Sequence, residues 1–380
     1  MNQIPFNKPF VVGEELYYMA RSVMEGHTAP NGQFTEACRS YLEGVTGAEA
    51  VLLTTSCTAA LEMAAMLCNL QPGDEVILPS YTFVSTANAF CLFGAVPCFV
   101  DIRPDTLNLD ESLVAQAITE RTRAIVPVHY AGVSCEMDEL LRLGRQNNCL
   151  VIEDAAQALC STYKGRQAGA IGDLGTFSFH ETKNFICGEG GALALRDEQF
   201  VARAEMLLED GTNRRDLFRG NVDHYEWMDV GSSLAMPDLL AAFLLAQLRN
   251  ADKITTKRRA LHARYTENLT PLAERGLVTL PAVPENCESN YHLFYVLFED
   301  MDTRTRAIAH LKEAGIQSVF HYVALHTSPV GIRYGYGPGS LPVTERVSDC
   351  LLRLPMYYEL SSDDVNRVTA TLGDFFGVKQ

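Results

Sequence analysis

Short apolar runs alternate with amphipathic stretches through the first half of the chain. Runs at 51–54, 75–78, 96–100, 124–128 and 150–153 are four or five residues long and mostly apolar. They read as buried strands. Between them, 56–67, 83–93, 108–118 and 137–145 carry helical spacing or composition, as with Ala60, Ala64 and Leu67. Strands alternating with helices predict an α/β fold with a mainly parallel sheet covered on both faces. Right-handed crossovers then gather the strand tips on one edge. Two more apolar runs flank a polar, glycine-rich segment in LGTFSFHETKNFICGEGGALAL, residues 174–195.

The second half reads differently. A charged helix at 201–209 precedes a polar loop at 211–223, and an apolar helix at 237–248 continues as a charged pattern towards 269. Pro271, Pro281 and Pro284 mark a shift in composition near 265–285. Beyond it, 291–298 alternates like a half-buried strand. A helix follows at 303–314, a strand at 318–322, a glycine-rich loop at 331–339, and helices at 343–351 and 361–375. This predicts a smaller α+β domain. The expected division is an N-terminal arm with a large domain at 1–250 and a small domain at 251–380. The first 34 residues are broken by Pro9, Gly13, Gly26, Pro30 and Gly32 around one helix, and read as an arm that crosses another surface.

Composition narrows the class. The 380 residues carry 47 acidic against 31 basic side chains, a formal charge of -16. That balance argues weakly against nucleic acid or an anionic membrane as main partner. No run is long enough for a membrane span, and residues 1–10 lack the features of a signal peptide. The 11 cysteines form no CxxC and read as thiols in a reducing compartment, with the cytoplasm the expected location.

The candidate chemistry clusters at the strand tips. After the first strand, Thr55, Ser56 and Thr58 open a helix, where free N–H groups suit an anion. N-capping accounts for one of these hydroxyls, not three. Tyr81 and Phe83 follow the second strand; either is able to stack on a flat ring, although the pattern alone favours core. Asp154 ends the buried run VIE and needs a partner, such as a protonated pyridine nitrogen or a structural cation. Gln157 lies one helical turn on. Lys183, near Ser178 and His180, is a candidate amine nucleophile, with a solvated loop lysine as the plain alternative. Thr58, Phe83, His129, Asp154 and Lys183 are expected to share one cleft. Arg214, Arg215 and Arg219 suit an anionic substrate or a solvated loop. No His/Cys spacing matches a metal site, and GEGG at 188–191 is not a dinucleotide fingerprint.

Several segments together carry a resemblance: TTSCTAALEMA at 54–64, GDEVILPSYTFVSTANA at 73–89, PVHYAG at 127–132, VIEDAAQA at 151–158, GTFSFHETKNFICGEGGA at 175–192 and FHYVALH at 320–326. The chain resembles the DegT/DnrJ/EryC1/StrS sugar aminotransferases over essentially its whole length. The resemblance implies fold type I and pyridoxal 5'-phosphate. Lys183 matches the family's Schiff-base lysine, where a related dehydrase group has histidine. Asp154 matches the residue that meets the pyridine nitrogen, Gln157 its neighbour, and Phe83 the stacking aromatic. Thr58, Ala59 and Ser178 match the phosphate contacts. Arg214, Arg215, Arg219 and His321 become candidates for the substrate. Ser232 and Ser233 stand where many members carry an asparagine that reaches the partner's phosphate. The implied reaction moves an amino group from L-glutamate to C4 of a dTDP-linked 4-oxo-6-deoxy sugar, in a homodimer. Another nucleotide 3-oxo or 4-oxo sugar is the nearer alternative. A non-catalytic regulator is the farther one, opposed by the intact Lys183, Asp154 and Gln157.

Overall fold

The computed structural model describes residues 3–378. Residues 1 and 2 of the expected arm lie outside them. The strands, in chain order, are β1 (Ala50–Thr54), β2 (Glu75–Pro79), β3 (Val96–Val100), β4 (Thr122–Ile125), β5 (Leu150–Asp154), β6 (Thr162–Tyr163), β7 (Arg166–Gln167), β8 (Leu174–Ser178), β9 (Gly191–Leu195), β10 (Cys287–Glu288), β11 (Phe294–Leu297) and β12 (Leu351–Leu354). Seven of them form one sheet in the order β1-β9-β8-β5-β4-β2-β3. All its pairings are parallel except those of β9, which runs antiparallel to β1 and β8. The architecture is the expected α/β one with a mainly parallel sheet. β1, β2 and β9 are buried at every position, because helices cover both faces.

The helices Cys57–Leu67, Val84–Cys91 and Met137–Asn147 connect successive strands, so their N-termini open on the edge where the strands end. The apolar core of residues 261–378 is built from β11, β12 and the helices Ala251–Glu274, Met301–Glu313 and Ser362–Phe375. Ile4 of the arm is buried in that same core, and Tyr18 and Phe10 pack into the core beneath the sheet. The described arm thus folds onto its own chain.

Local expectations differ in four places. The long helix from 237 breaks at Asn250, giving Asp238–Arg249 and Ala251–Glu274. Asn250 leaves helical geometry and its side-chain amide donates back to the Ala246 carbonyl at 2.9 Å. Pro271 lies within the second helix, in its last turn, rather than at a boundary. The strand expected at 318–322 is a single bridge between Val319 and Arg353, and the loop at 211–223 contains the short helix Arg214–Phe218. A two-domain division at residue 250 is our proposal, supported by the helix break and by the separate C-terminal core.

Candidate active site

The strand tips open into a cavity of about 550 Å³, a size suited to a small molecule. At the β1 tip, Ser56 caps the helix Cys57–Leu67: its Oγ accepts from the Ala59 N–H at 3.0 Å. Thr58 lines the cavity and donates to Ser85 Oγ at 2.8 Å. The N–H groups of Cys57 and Thr58 find no acceptor among the described residues, as expected of a first turn. Gly191 lets β9 pass here. A Cβ on it would stand 2.4 Å from the Cys57 nitrogen.

The two aromatics after β2 part company. Tyr81 is fully buried and donates to the His321 carbonyl. Phe83 is 58% exposed and lines the cavity, so its ring face is available. Asp154 is buried at the end of β5. Its Oδ2 accepts from Thr86 Oγ1 at 2.7 Å and its Oδ1 from the Ala156 N–H at 3.1 Å. Gln157 Oε1 accepts from the Ala131 N–H at 2.8 Å, and its Nε2 donates to Tyr322 at 3.0 Å. That fixes the orientation of its amide in the wall.

Ser178 ends β8 and lines the same cavity as Lys183. The turn after it is held by the Lys183 N–H donating to the His180 carbonyl at 2.9 Å. No hydrogen bond or ion pair engages the Lys183 amine among the described residues. What surface Lys183 keeps opens on the cavity, and burial there pulls its pKa below 10.5. Nearby, His321 Nδ1 lies 3.0 Å from the Tyr130 hydroxyl and His292 Nδ1 lies 2.9 Å from Asn184 Oδ1. Burial drives the pKa of both imidazoles well below 6.5. Phe6 and Asn7 of the arm complete the wall, and Asn7 donates to the Glu181 carbonyl at 3.3 Å.

Thr58, Phe83, Asp154, Gln157, Ser178, Lys183 and His321 therefore meet in one place. Five candidates do not. The Ala59 N–H is taken by Ser56, and Ala59 is buried behind the wall. Arg215 pairs with Glu205 and Glu209, and Arg219 with Glu205. Arg214 lies over Phe218. None of the three arginines lines the cavity. His129, expected in the cleft, is fully buried beneath it instead. Its Nδ1 accepts from the Cys135 N–H at 3.1 Å, so Nε2 carries the proton and donates to Glu153 at 2.7 Å.

Sequence reasoning missed Thr86, Tyr322, His292 and Arg353, all in the wall. Thr86 was within reach, because it lies one helical turn beyond Phe83. Arg353 also left a signal: it is the lone charge in the apolar run LLRLP.

Fold and site together define an α/β enzyme with an enclosed, unpaired lysine amine at its centre. The pattern of the DegT/DnrJ/EryC1/StrS aminotransferase family matches residues 11–373, and the chain belongs to that family. SpsC of Bacillus subtilis, described as a spore coat polysaccharide biosynthesis protein, is 34% identical over 98% of this chain and 96% of its own. DesV of S. venezuelae superposes with a TM-score of 0.91 at 30% identity, covering 100% of both chains. Spr1654 of Streptococcus pneumoniae, assigned as a sugar aminotransferase, has been solved in PLP and PMP forms. These superpose with TM-scores of 0.90 and 0.91 at 27% and 28% identity, each covering 98% of both chains. The chain is accordingly a sugar aminotransferase of fold type I.

Proposed function

We propose that this enzyme transfers an amino group from L-glutamate to C4 of dTDP-4-oxo-6-deoxyglucose, giving dTDP-4-amino-4,6-dideoxygalactose. The observation that carries amino transfer is the unpaired Lys183 amine enclosed with Asp154 in one cavity. The segments SCTAALEMAA, SFHETKN, GTNRRDLFRG and VDHYEWMDVGSS support the particular sugar by their resemblance to an enzyme of that specificity.

Pyridoxal phosphate is the cofactor, and the residues present fit it. Lys183 offers an amine of lowered pKa, and the first turn at Cys57 and Thr58 offers free N–H groups to a phosphate. Ser178 and Thr58 add hydroxyls, Phe83 a free ring face, and Asp154 a carboxylate for the ring nitrogen. Bound there, the cofactor supplies an electron sink for the carbanion at the donor's α carbon. Asp154 keeps the ring nitrogen charged, while Thr86 and the Ala156 N–H hold its carboxylate in place. Lys183 Nζ takes the proton from the donor's α carbon in the first half and delivers one to the sugar carbon in the second. Gln157, fixed by Ala131 and Tyr322, lines the site without titrating.

The working form is a homodimer in this reading. Leu16, Tyr17 and Met24 on the arm and Phe218, Trp227 and Val230 after residue 211 are large apolar side chains left 61–87% exposed. Arg214 and Arg219 lie among them and are candidates to meet the partner's nucleotide diphosphate. The unpaired cysteines support a cytoplasmic location. Among the described residues no helix is long and apolar enough to cross a membrane.

The test is incubation with L-glutamate and a panel of dTDP- and UDP-linked 3-oxo and 4-oxo sugars, with NMR of the products. Amination of the dTDP 4-oxo sugar at C4 with galacto configuration is expected. A product aminated at C3, or preference for a UDP sugar, removes the named substrate.

A further inference from the structure

Arg353 has no part in the chemistry above, yet it stands in the cavity wall with Lys183. It lies in β12 between Leu352 and Leu354, both fully buried, and pairs with Tyr295 of β11. A guanidinium in such a place needs an anion or carbonyl acceptors. Arg258, which is buried, has them: it donates to the carbonyls of Tyr291, His292 and Met356. Arg353 does not. No carboxylate lies within 4.0 Å of it, and its Nε is buried without a hydrogen-bond partner among the described residues. Its guanidinium carbon sits 4.6 Å from the centre of the Phe6 ring, which covers one face and leaves the edge free. Burial lowers its pKa, with Tyr130, Tyr322 and Tyr81 around it. It is also near enough to depress the Lys183 amine, as a smaller contribution beside burial.

We propose that the Arg353 guanidinium receives a carboxylate of the amino donor. The inference rests on the aminotransferase reading. A guanidinium edge takes two carboxylate oxygens at once, and it does so best in a wall such as Leu293, Leu354 and Met356 provide, where water competes poorly. An amino acid carries a carboxylate one bond from the carbon that Lys183 must reach. A diphosphate on C1 of the sugar lies across the ring from C4, and so falls farther from Lys183.

The two half-reactions separate these anions. Wild-type, Arg353→Gln and Arg353→Lys holoenzymes are mixed with L-glutamate, or for the opposite half with the amino-sugar product, and single turnovers are followed by cofactor absorbance. Arg353→Gln is expected to raise the half-saturating glutamate concentration on the order of 30-fold, with a smaller fall in maximal rate. Arg353→Lys keeps the charge and loses less. The sugar half-reaction stays within about threefold, which a general disturbance of the fold would not allow. On the wild-type enzyme, L-isoglutamine and L-glutamine remove the α- and γ-carboxylate in turn. The amide that loses as much as Arg353→Gln, and loses no more on that variant, names the carboxylate received. An unchanged glutamate half-reaction overturns the proposal, as does a sugar half-reaction that weakens equally, the result a diphosphate contact gives. Should Arg353→Gln not fold, full activity of both amides on the wild-type enzyme overturns it as well. A wild-type enzyme inert to glutamate overturns glutamate as the amino donor of the proposed function, a result distinct from all of these.

Discussion

Thr86 Oγ1 donates a 2.7 Å hydrogen bond to Asp154 Oδ2 from the first turn of the helix that Phe83 caps. One helix start therefore presents the exposed ring and steadies the buried carboxylate. The ring and the hydroxyl are three residues apart, so they lie on one face of the turn. Asp154 itself arrives from β5, two strands away from β2 across the sheet.

Asp154→Asn should lower the single-turnover rate with glutamate on the order of 1,000-fold while most of the cofactor stays bound, because the charge partner is lost and the phosphate contacts are not. Thr86→Val removes one donor from that carboxylate and keeps the shape; a fall of about tenfold is expected. Stopped-flow absorbance measures both. An unchanged rate in Asp154→Asn removes the residue from the chemistry.

Lys183→Ala should abolish borohydride-stable labelling by pyridoxal phosphate and lower turnover by about 1,000-fold or more. Because burial holds the amine below its ordinary pKa of 10.5, capture of the cofactor by the wild-type apoenzyme should rise with pH through a midpoint below 10.5. A midpoint at 10.5 or above would contradict the enclosed amine.

His262 packs against the rings of Tyr291 and Phe294, and burial, reinforced by Arg258, pulls its pKa down to about 4. In the unfolded chain it protonates near the ordinary 6.5. Between these values the unfolded chain binds the extra proton. The stabilisation is complete above about pH 6.5 and is lost as pH falls towards 4. Urea midpoints at about pH 7.5 and pH 5 should therefore drop more for the wild type than for His262→Gln. Equal drops would assign the acid sensitivity elsewhere.

Trp227 is the chain's single tryptophan and is 77% exposed. If the surface around it joins two copies, its emission will be that of a buried indole at micromolar concentration and will shift red on dilution, in step with the sedimentation coefficient. Emission of a solvated indole at every concentration, with an active dimer present, would move the interface away from this loop.

Much of this protein was legible in its sequence. The alternation of short apolar runs with helices fixed the α/β class, since a strand covered on both faces must be apolar throughout. That Lys183, Asp154, Gln157, Thr58 and Ser178 gather at the strand tips was legible, because each sits at or just past the polar end of an apolar run. What lies in the wall from distant parts of the chain was not. The expected cleft included His129, one residue past Val128, but the tertiary fold turned it under Glu153. Tyr81 and Phe83 look alike on paper, and packing against Tyr130 and Tyr322 buried only the first. Arg353 shows the limit most clearly. A strand's side chains alternate between faces, so sequence says that it stands apart from its leucines. Only the pairing of β12 with β11, beside the sheet tips, decides that its charge meets the cavity rather than solvent.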